Sequence, residues 1–395
     1  MNDGLKQLAA EEIDRRREEL VALSHTIHAH PELAFEEQDS VAALVQTCRK
    51  FGWQADTGIC DLPTAWRAEL PGSNSGPTVA FLAEYDALPE IGHACGHNLM
   101  AIAPIAAAAG LESVLGKLGG RIVVLGTPAE EGGGGKQLMA EKGALDGIDA
   151  ALLVHPTAHS VVKTQALACE HYDVDFHGKA SHAAGSPEKG VNALNAMILS
   201  FNHIDALRQH IHSSARVHGI IRHGGDAPNI VPEHTSGTFI IRASENAYLD
   251  ELIEKVRNCF AAAALATGCT WEWTLHSPRY ETINSNPTLA NLYFDAMLRL
   301  NVDCPMESNQ GFGSTDMGNV SWRVPAIQPM FKIVDHVPNH TREFTAAAAT
   351  DRAFQATFEA AKAMAFTAID LLAQPSLLDQ AKRDFQESTA AHLPF

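Results

Sequence analysis

Apolar and polar positions follow two regimes along this chain. In the first, short uninterrupted apolar runs at 78–83 (Thr-Val-Ala-Phe-Leu-Ala), 121–126 (Arg-Ile-Val-Val-Leu-Gly) and 149–154 (Asp-Ala-Ala-Leu-Leu-Val) stand between longer helical stretches. Runs of this length, bounded by Gly and Pro, predict strands buried on both faces, as in a parallel sheet covered by helices. Residues 64–70 predict a further strand neighbouring 78–83, joined to it by the turn Pro71-Gly72-Ser73-Asn74-Ser75-Gly76-Pro77. Residues 5–49 predict two helices around a loop, and the alanine-rich stretch 98–116 a helix packed on the sheet. The second regime begins near residue 168. Residues 169–177 alternate like a strand wet on one face, followed by a helix (187–209), strands (217–223, 235–243), a helix (246–267) and a last strand (270–276). That β-α-β-β-α-β order is the ferredoxin-like one. A helix at 286–300, a strand at 328–333 and closing helices over 344–372 return to the first regime. The expected fold is α/β: a main domain with a mostly parallel central sheet (1–167 and 286–395) and an inserted ferredoxin-like α+β domain (168–285).

Each apolar run of the first regime ends in residues able to bind a cation. The first leads into Glu84, Asp86 and then His93-Ala94-Cys95-Gly96-His97; the second into Pro128-Ala129-Glu130-Glu131; the third into His155-Pro156. Open α/β sheets build their sites beyond the carboxyl ends of their strands. Cysteine with histidine suits zinc, and histidine with carboxylate suits zinc, manganese or iron. Adjacent glutamates point to different sides of the backbone, so one of the pair can bind a cation while the other serves as a base. Gly132 to Lys136 look like a phosphate loop, but the G-x-x-x-x-G-K-[ST] spacing is absent. Late in the chain, His340 in Asn339-His340-Thr341 is a candidate for a remaining ligand, with His336 as its rival on spacing alone. His28 and His30 read as members of a loop packed by Leu33 and Phe35.

Composition changes this picture only at the margins. The 395 residues are 46% hydrophobic and 19% charged, as expected of a globular chain with room for two domains. A net charge of -18 argues against nucleic acid and anionic membranes as partners. The seven cysteines are scattered without a C-x-x-C pair, which points to a reducing compartment rather than a disulfide framework. The first twenty residues are charged and amphipathic, without the apolar stretch of a signal peptide. No uncharged apolar run of about 18 residues predicts a membrane span. The expected location is the cytoplasm.

Taken in order, the segments resemble the dimetal amidohydrolase and peptidase family of aminoacylase, carboxypeptidase G, succinyl-diaminopimelate desuccinylase and the auxin-conjugate amidohydrolases. The resemblance covers nearly the whole chain. It rests on His30-Pro31-Glu32-Leu33, Asp86-Ala87-Leu88-Pro89, His93-Ala94-Cys95-Gly96-His97, Pro128-Ala129-Glu130-Glu131, His155, Gly178-Lys179-Ala180-Ser181-His182-Ala183-Ala184 and the segment from Gly224 to Pro232. The stretch from Gly313 to Ser321, with Asn339-His340-Thr341, is most similar to the branch of aminobenzoyl-glutamate hydrolase and β-alanyl-lysine dipeptidase.

The resemblance implies two divalent ions, zinc or manganese, on Cys95, His97, Glu131, His155 and His340. It implies Glu130 as general base and Asp86 as the residue orienting a ligand. His182, on an inserted dimerisation or lid domain, would hold the substrate carbonyl oxygen from a neighbouring subunit, and Asn229 would meet the substrate near its carboxylate. Many relatives carry a metal-binding histidine where this chain has Glu84; Cys95 is the compensating ligand, and contact of Glu84 with metal stays open. The implied activity is hydrolysis of the amide bond of an N-acyl amino acid or small dipeptide by a homodimer. Pocket walls would come from loops around Phe312 and Trp322. The alternatives are a metal-dependent deaminase or decarbamoylase of a small molecule, and a binding protein that keeps the fold without the chemistry.

Overall fold

The structure is a computed structural model that describes residues 2–70, 76–308 and 313–391; Pro71 to Ser75 of the expected turn, and Phe312, lie outside the described residues. The chain divides into two compact units, Ala166–Thr282 and the flanking stretches Met1–Gln165 and Ile283–Leu393.

The first unit opens with α1 (Asn2–Ala29) and α2 (Gln38–Lys50), then β1 (Gln54–Thr57), β2 (Trp66–Glu69) and β3 (Thr78–Ala83). The helix α3 (His97–Leu118) leads to β4 (Arg121–Gly126), α4 (Gly135–Glu141), β5 (Ala150–Leu152) and β6 (His155–Thr157). The second unit runs β7 (Ala168–His177), α5 (Ala193–Leu207), β8 (Arg216–His223), β9 (His234–Ala243), α6 (Asn246–Thr267) and β10 (Thr270–Leu275). The first unit resumes with α7 (Pro287–Arg299), α8 (Met317–Ser321), β11 (Ala326–Ile327), β12 (Met330–Lys332), α9 (Arg342–Ala347), α10 (Asp351–Ala373) and α11 (Pro375–Ala390).

The main sheet has the order β1-β2-β4-β3-β5-β11. β3 pairs parallel with both β4 and β5, and β5 parallel with β11, while β1 and β2 are antiparallel at one edge. Every residue of β3 is buried, as an apolar run without alternation requires. The sheet corrects one expectation. β2 and β3 are not neighbours: β4, brought back parallel by the crossover helix α3, lies between them and pairs with β2 from Trp66 to Glu69. A second correction concerns 328–333. The strand in the main sheet is β11, whereas β12 pairs with β6 in a separate two-stranded ribbon, so His155 starts a strand of its own.

By length and composition α3 is apolar enough to cross a membrane. Here it is buried all round, packed by α1, α10 and the sheet, which is how a helix apolar on every face is accommodated in a core. Each fully buried Leu or Ile on it contributes about 1.5–3 kcal/mol. Its polar N-terminal turn is tied in by Asn98, whose Nδ2 donates to Ser24 Oγ (2.9 Å) and to the Ala348 carbonyl (3.0 Å).

The second unit is a four-stranded antiparallel sheet of order β10-β7-β9-β8. Counting its own strands from one to four, this is 4-1-3-2, the ferredoxin-like arrangement. α5 and α6 cover one face around Val174, Phe176, Phe239 and Phe260, while Asp173, Asp175 and His177 face outward.

Candidate metal centre

The centre lies where β3, β4 and β5 end. β3 stops at Ala83, and Glu84, Tyr85 and Asp86 come next as buried residues. Cys95 and His97 are carried to the same place by a turn at Gly96, whose φ of +75° suits glycine and whose missing Cβ would lie 2.6 Å from Pro156 Cγ. The requirement for Gly in Cys-Gly-His is therefore steric on both counts. After β4, Ala129 takes φ +59° immediately before Glu130 and Glu131.

Asp86 is the hub of the hydrogen bonding. Its Oδ1 lies 2.9 Å from His97 Nδ1, which also faces the Asp86 carbonyl at 3.0 Å. Both partners are acceptors, so Nδ1 carries hydrogen and Nε2 is turned towards the other ligand candidates. Asp86 Oδ2 accepts the Glu131 amide at 2.9 Å. His340 Nε2 lies 3.0 Å from Cys95 Sγ and 3.7 Å from Glu131 Oε1. The two late histidines are thus separated by geometry: His336 lines a different, open cleft with His159, Lys332 and Arg352. His28 and His30 face backbone carbonyls of Thr345 and Thr26. In their loop Leu33 and Phe35 remain 38% and 37% exposed, with the Phe35 ring against Gly133. Carboxylates anchor the loop as well.

Among the described residues, three trios could each hold a cation, with ligand atoms within 4.8 Å of one another: Cys95/His97/His155, Cys95/Glu131/His340 and Glu84/His97/Glu130. Cys95 belongs to two of them. His97 Nε2, Glu131 Oε1 and both Glu84 oxygens are buried without a hydrogen-bond partner among the described residues, which fits atoms built to meet a cation.

Lys136 is a member of the centre that the pattern of the chain did not announce. This lysine is fully buried, with Nζ 2.7 Å from Asp316 Oδ1 and 2.5 Å from Glu84 Oε1, the latter an ion-pair contact outside hydrogen-bond geometry. Its amide donates to Asp316 Oδ2 at 2.9 Å. A cation five residues or so from two acids that end an apolar run was the available signal; the run of glycines before it hid the lysine among loop residues.

Proton affinities show how short of positive charge the centre is. Burial, then the carboxylates Glu84, Glu131 and Asp316, push the Glu130 carboxyl well above its ordinary range. Burial raises Glu131 too, with His97 opposing, and burial and Glu131 push the Cys95 thiol up. Burial works against a charged His97, but Asp86, then Cys95 and Glu84, outweigh it, so its pKa rises. His155 is pushed down to about 4 by burial.

On the second unit, His182 and Asn229 lie on facing segments, where Asn229 O accepts the Ala183 amide at 3.0 Å. His182 Nδ1 accepts the amides of Ala184 (3.2 Å) and Gly185 (3.1 Å), which assigns the hydrogen of the neutral ring to Nε2. The exposed ring therefore presents a donor. Trp322 caps the end of α8.

Known proteins share both the sequence and the fold. The peptidase dimerisation domain family matches residues 171–268. The chain is 42% identical to the Xaa-Arg dipeptidase of Mus musculus over 97% of its own length and 92% of that protein. It is 29% identical to a subunit of the p-aminobenzoyl-glutamate hydrolase of Escherichia coli (strain K12), over 95% and 94%. Its fold matches the crystal structure of a Bacillus subtilis dinuclear metal binding peptidase of the M20 family with a TM-score of 0.70, at 21% identity, covering 91% and 99% of the two chains. The chain belongs to the M20 family of peptidases and amidohydrolases and is a hydrolase of amide and peptide bonds.

Proposed function

We propose that the protein is a cytoplasmic, homodimeric dipeptidase that cleaves a small dipeptide or N-acyl amino acid with the help of two divalent ions. A basic C-terminal residue is the favoured substrate feature, supported by the likeness to the Xaa-Arg dipeptidase and by a net charge of -18, which attracts cations. The observation that carries the metal reading is the sharing of Cys95 by two ligand trios. One ion would be held by Cys95, His97 and His155, and a second by Cys95, Glu131 and His340, Cys95 being the residue that both trios include. The third trio is the weaker host: His97 has only Nε2 to offer, and Glu84 already carries the Lys136 ammonium. The donor set suits zinc or manganese.

Bound there, the ions lower the pKa of a water and polarise the scissile carbonyl. The chain's own residues do the rest. Asp86 fixes the tautomer and orientation of His97, the usual partner a ligating imidazole needs. Glu130 takes a proton from the attacking water and delivers it to the departing amine, a role worth about 10²–10⁴-fold. His182, contributed by a second copy of the chain, donates from Nε2 to the carbonyl oxygen as charge builds on it. Asn229 binds near the substrate carboxylate. The second copy docks along β8, a free sheet edge that exposes Ile220 and Ile221 (64% and 40%) on the unit that matches the dimerisation domain.

The test pairs two variants with a screen of Xaa-Arg and Xaa-Lys dipeptides against N-acyl amino acids. Glu130→Ala should keep its metal, by elemental analysis after dialysis, while kcat falls by about 10² or more. Cys95→Ala should lose metal from both positions. Near-normal turnover in the first variant removes Glu130 from its role, and full metal retention in the second removes the shared thiolate.

A further inference from the structure

We propose that residues 31–37, the loop between α1 and α2, position the two acid-bearing loops of the centre, and that Glu37 is the positioning residue that sets the direction of Glu130 and Glu131. The proposal rests on the roles proposed for those two glutamates as base and ligand.

The loop reaches both sides of the centre. The Glu32 carbonyl accepts the amide of Ala87, next to Asp86, at 2.8 Å. Glu37 Oε1 accepts the amide of Ala129, next to Glu130, at 2.8 Å, and this bond is buried. The loop is itself held in shape, because the Glu32 carboxylate takes the amides of Asp39 (2.9 Å) and Ser40 (2.8 Å) in the first turn of α2. The Phe35 ring lies against Gly133, where a Cβ would come 2.6 Å from Phe35 Cε2 and 2.5 Å from Ala129 Cβ.

Glu37 breaks two local rules at once. It occupies the N-cap of α2, where Ser, Thr, Asp or Asn is preferred, yet its side chain makes no cap hydrogen bond to that helix. It is also a fully buried carboxyl, and burial is the first cause raising its proton affinity. The Glu37 carbonyl accepts the Val41 amide in the first turn of α2, but the side chain serves neither helix nor apolar core and is best explained by the buried backbone group it does serve, the Ala129 amide. Ala129 needs holding. Its φ of +59° is a conformation an L-residue leaves readily when nothing fixes it, and the two glutamates are the next residues in the chain.

Glu37→Leu removes the acceptor at similar volume, while Glu37→Gln keeps an oxygen in its place. In Glu37→Leu we expect kcat per folded molecule to fall by about 10–10²-fold with KM within a factor of about three, the cost of a misdirected catalytic group. Zinc affinity, read by competition with a chromophoric chelator, should fall with it, because Glu131 shares the loop. Glu37→Gln should restore both to within a factor of about three of the parent, since the neutral amide keeps the acceptor. Folded fraction is followed by circular dichroism, with assays run well below each midpoint. Parental kcat and zinc affinity in Glu37→Leu would overturn the proposal. So would a Glu37→Gln variant as impaired as Glu37→Leu, since that would make charge the requirement. Glu130→Ala assayed in parallel keeps the two questions apart: if that variant turns over normally the base assignment has failed, and zinc affinity alone then decides on Glu37.

Discussion

Replacing Lys136 by Met tests how the buried acids of the centre are balanced. Met follows the lysine stem closely in volume, so the cavity contribution is small and the loss is electrostatic. Removing one partner of a buried ion pair costs about 3–5 kcal/mol, because the other is left charged and unsolvated. Here two are left, Asp316 and Glu84. Asp316 keeps the residue-136 amide at 2.9 Å, which places the expected loss near the lower end, about 3 kcal/mol. At roughly 2 °C per kcal/mol for a unit of this size, Tm should fall by about 6 °C at pH 7.5. The sign with pH is also fixed. Burial already raises the Asp316 carboxyl, with Lys136 opposing, and without the ammonium that carboxyl rises further. The folded variant then binds protons more tightly than its unfolded chain. Its deficit relative to the parent should shrink as pH falls from about 7.5 towards 5, where protonation replaces the missing charge. Urea denaturation of parent, Lys136→Met, Asp316→Asn and the double variant provides the cycle, and the double should lose less than the sum of the singles. A deficit under about 1 kcal/mol, or one that stays constant with pH, would refute the reasoning.

Two further outcomes concern other parts of the molecule. His93 is buried with its Nε2 3.1 Å from the Ile27 carbonyl, and burial, then the charges of His97 and His28, push it down to about 3. The fold therefore requires it neutral, and stability is lost as pH falls below the ordinary value of 6.5. Urea midpoints between about pH 7 and 5 should fall less steeply in His93→Gln, by up to about 1.4 kcal/mol per pH unit; parallel curves would exclude the effect. On the second unit, Ile220→Glu places a charge on the β8 edge twice per two-fold interface, weakening association by about 3–6 kcal/mol, or roughly 10²–10⁴-fold in Kd. Light scattering should report a monomer with turnover lost, and an active monomer would contradict the role of His182 from a second copy.

How much could be foreseen from sequence depends on which interactions are local. Three apolar runs ending in ligand candidates pointed to one place because strand and candidate are adjacent in the chain, and the structure brings those residues together; the ferredoxin-like order was legible because alternation and helix periodicity are local too. Strand neighbours were not. β4 enters between β2 and β3 through a crossover, and nothing within 64–83 encodes that. His340 and His336 could not be separated because both take positive φ (65° and 59°), where spacing says little about the direction of the side chain. The deeper omission is of one kind: Glu32, Glu37, Lys136 and Asp316 all act through partners distant in the chain, and the pattern of the sequence gives none of them a role at the centre. Three of them, Glu37, Lys136 and Asp316, are charged groups buried against the usual preference of their type, and each touches a residue in or beside the centre. Burying them costs stability that an apolar side chain would not. Their common placement around Glu84, Asp86, Glu130 and Glu131 argues that the fold gives up some stability to hold four acids in fixed directions, as charge-handling chemistry requires.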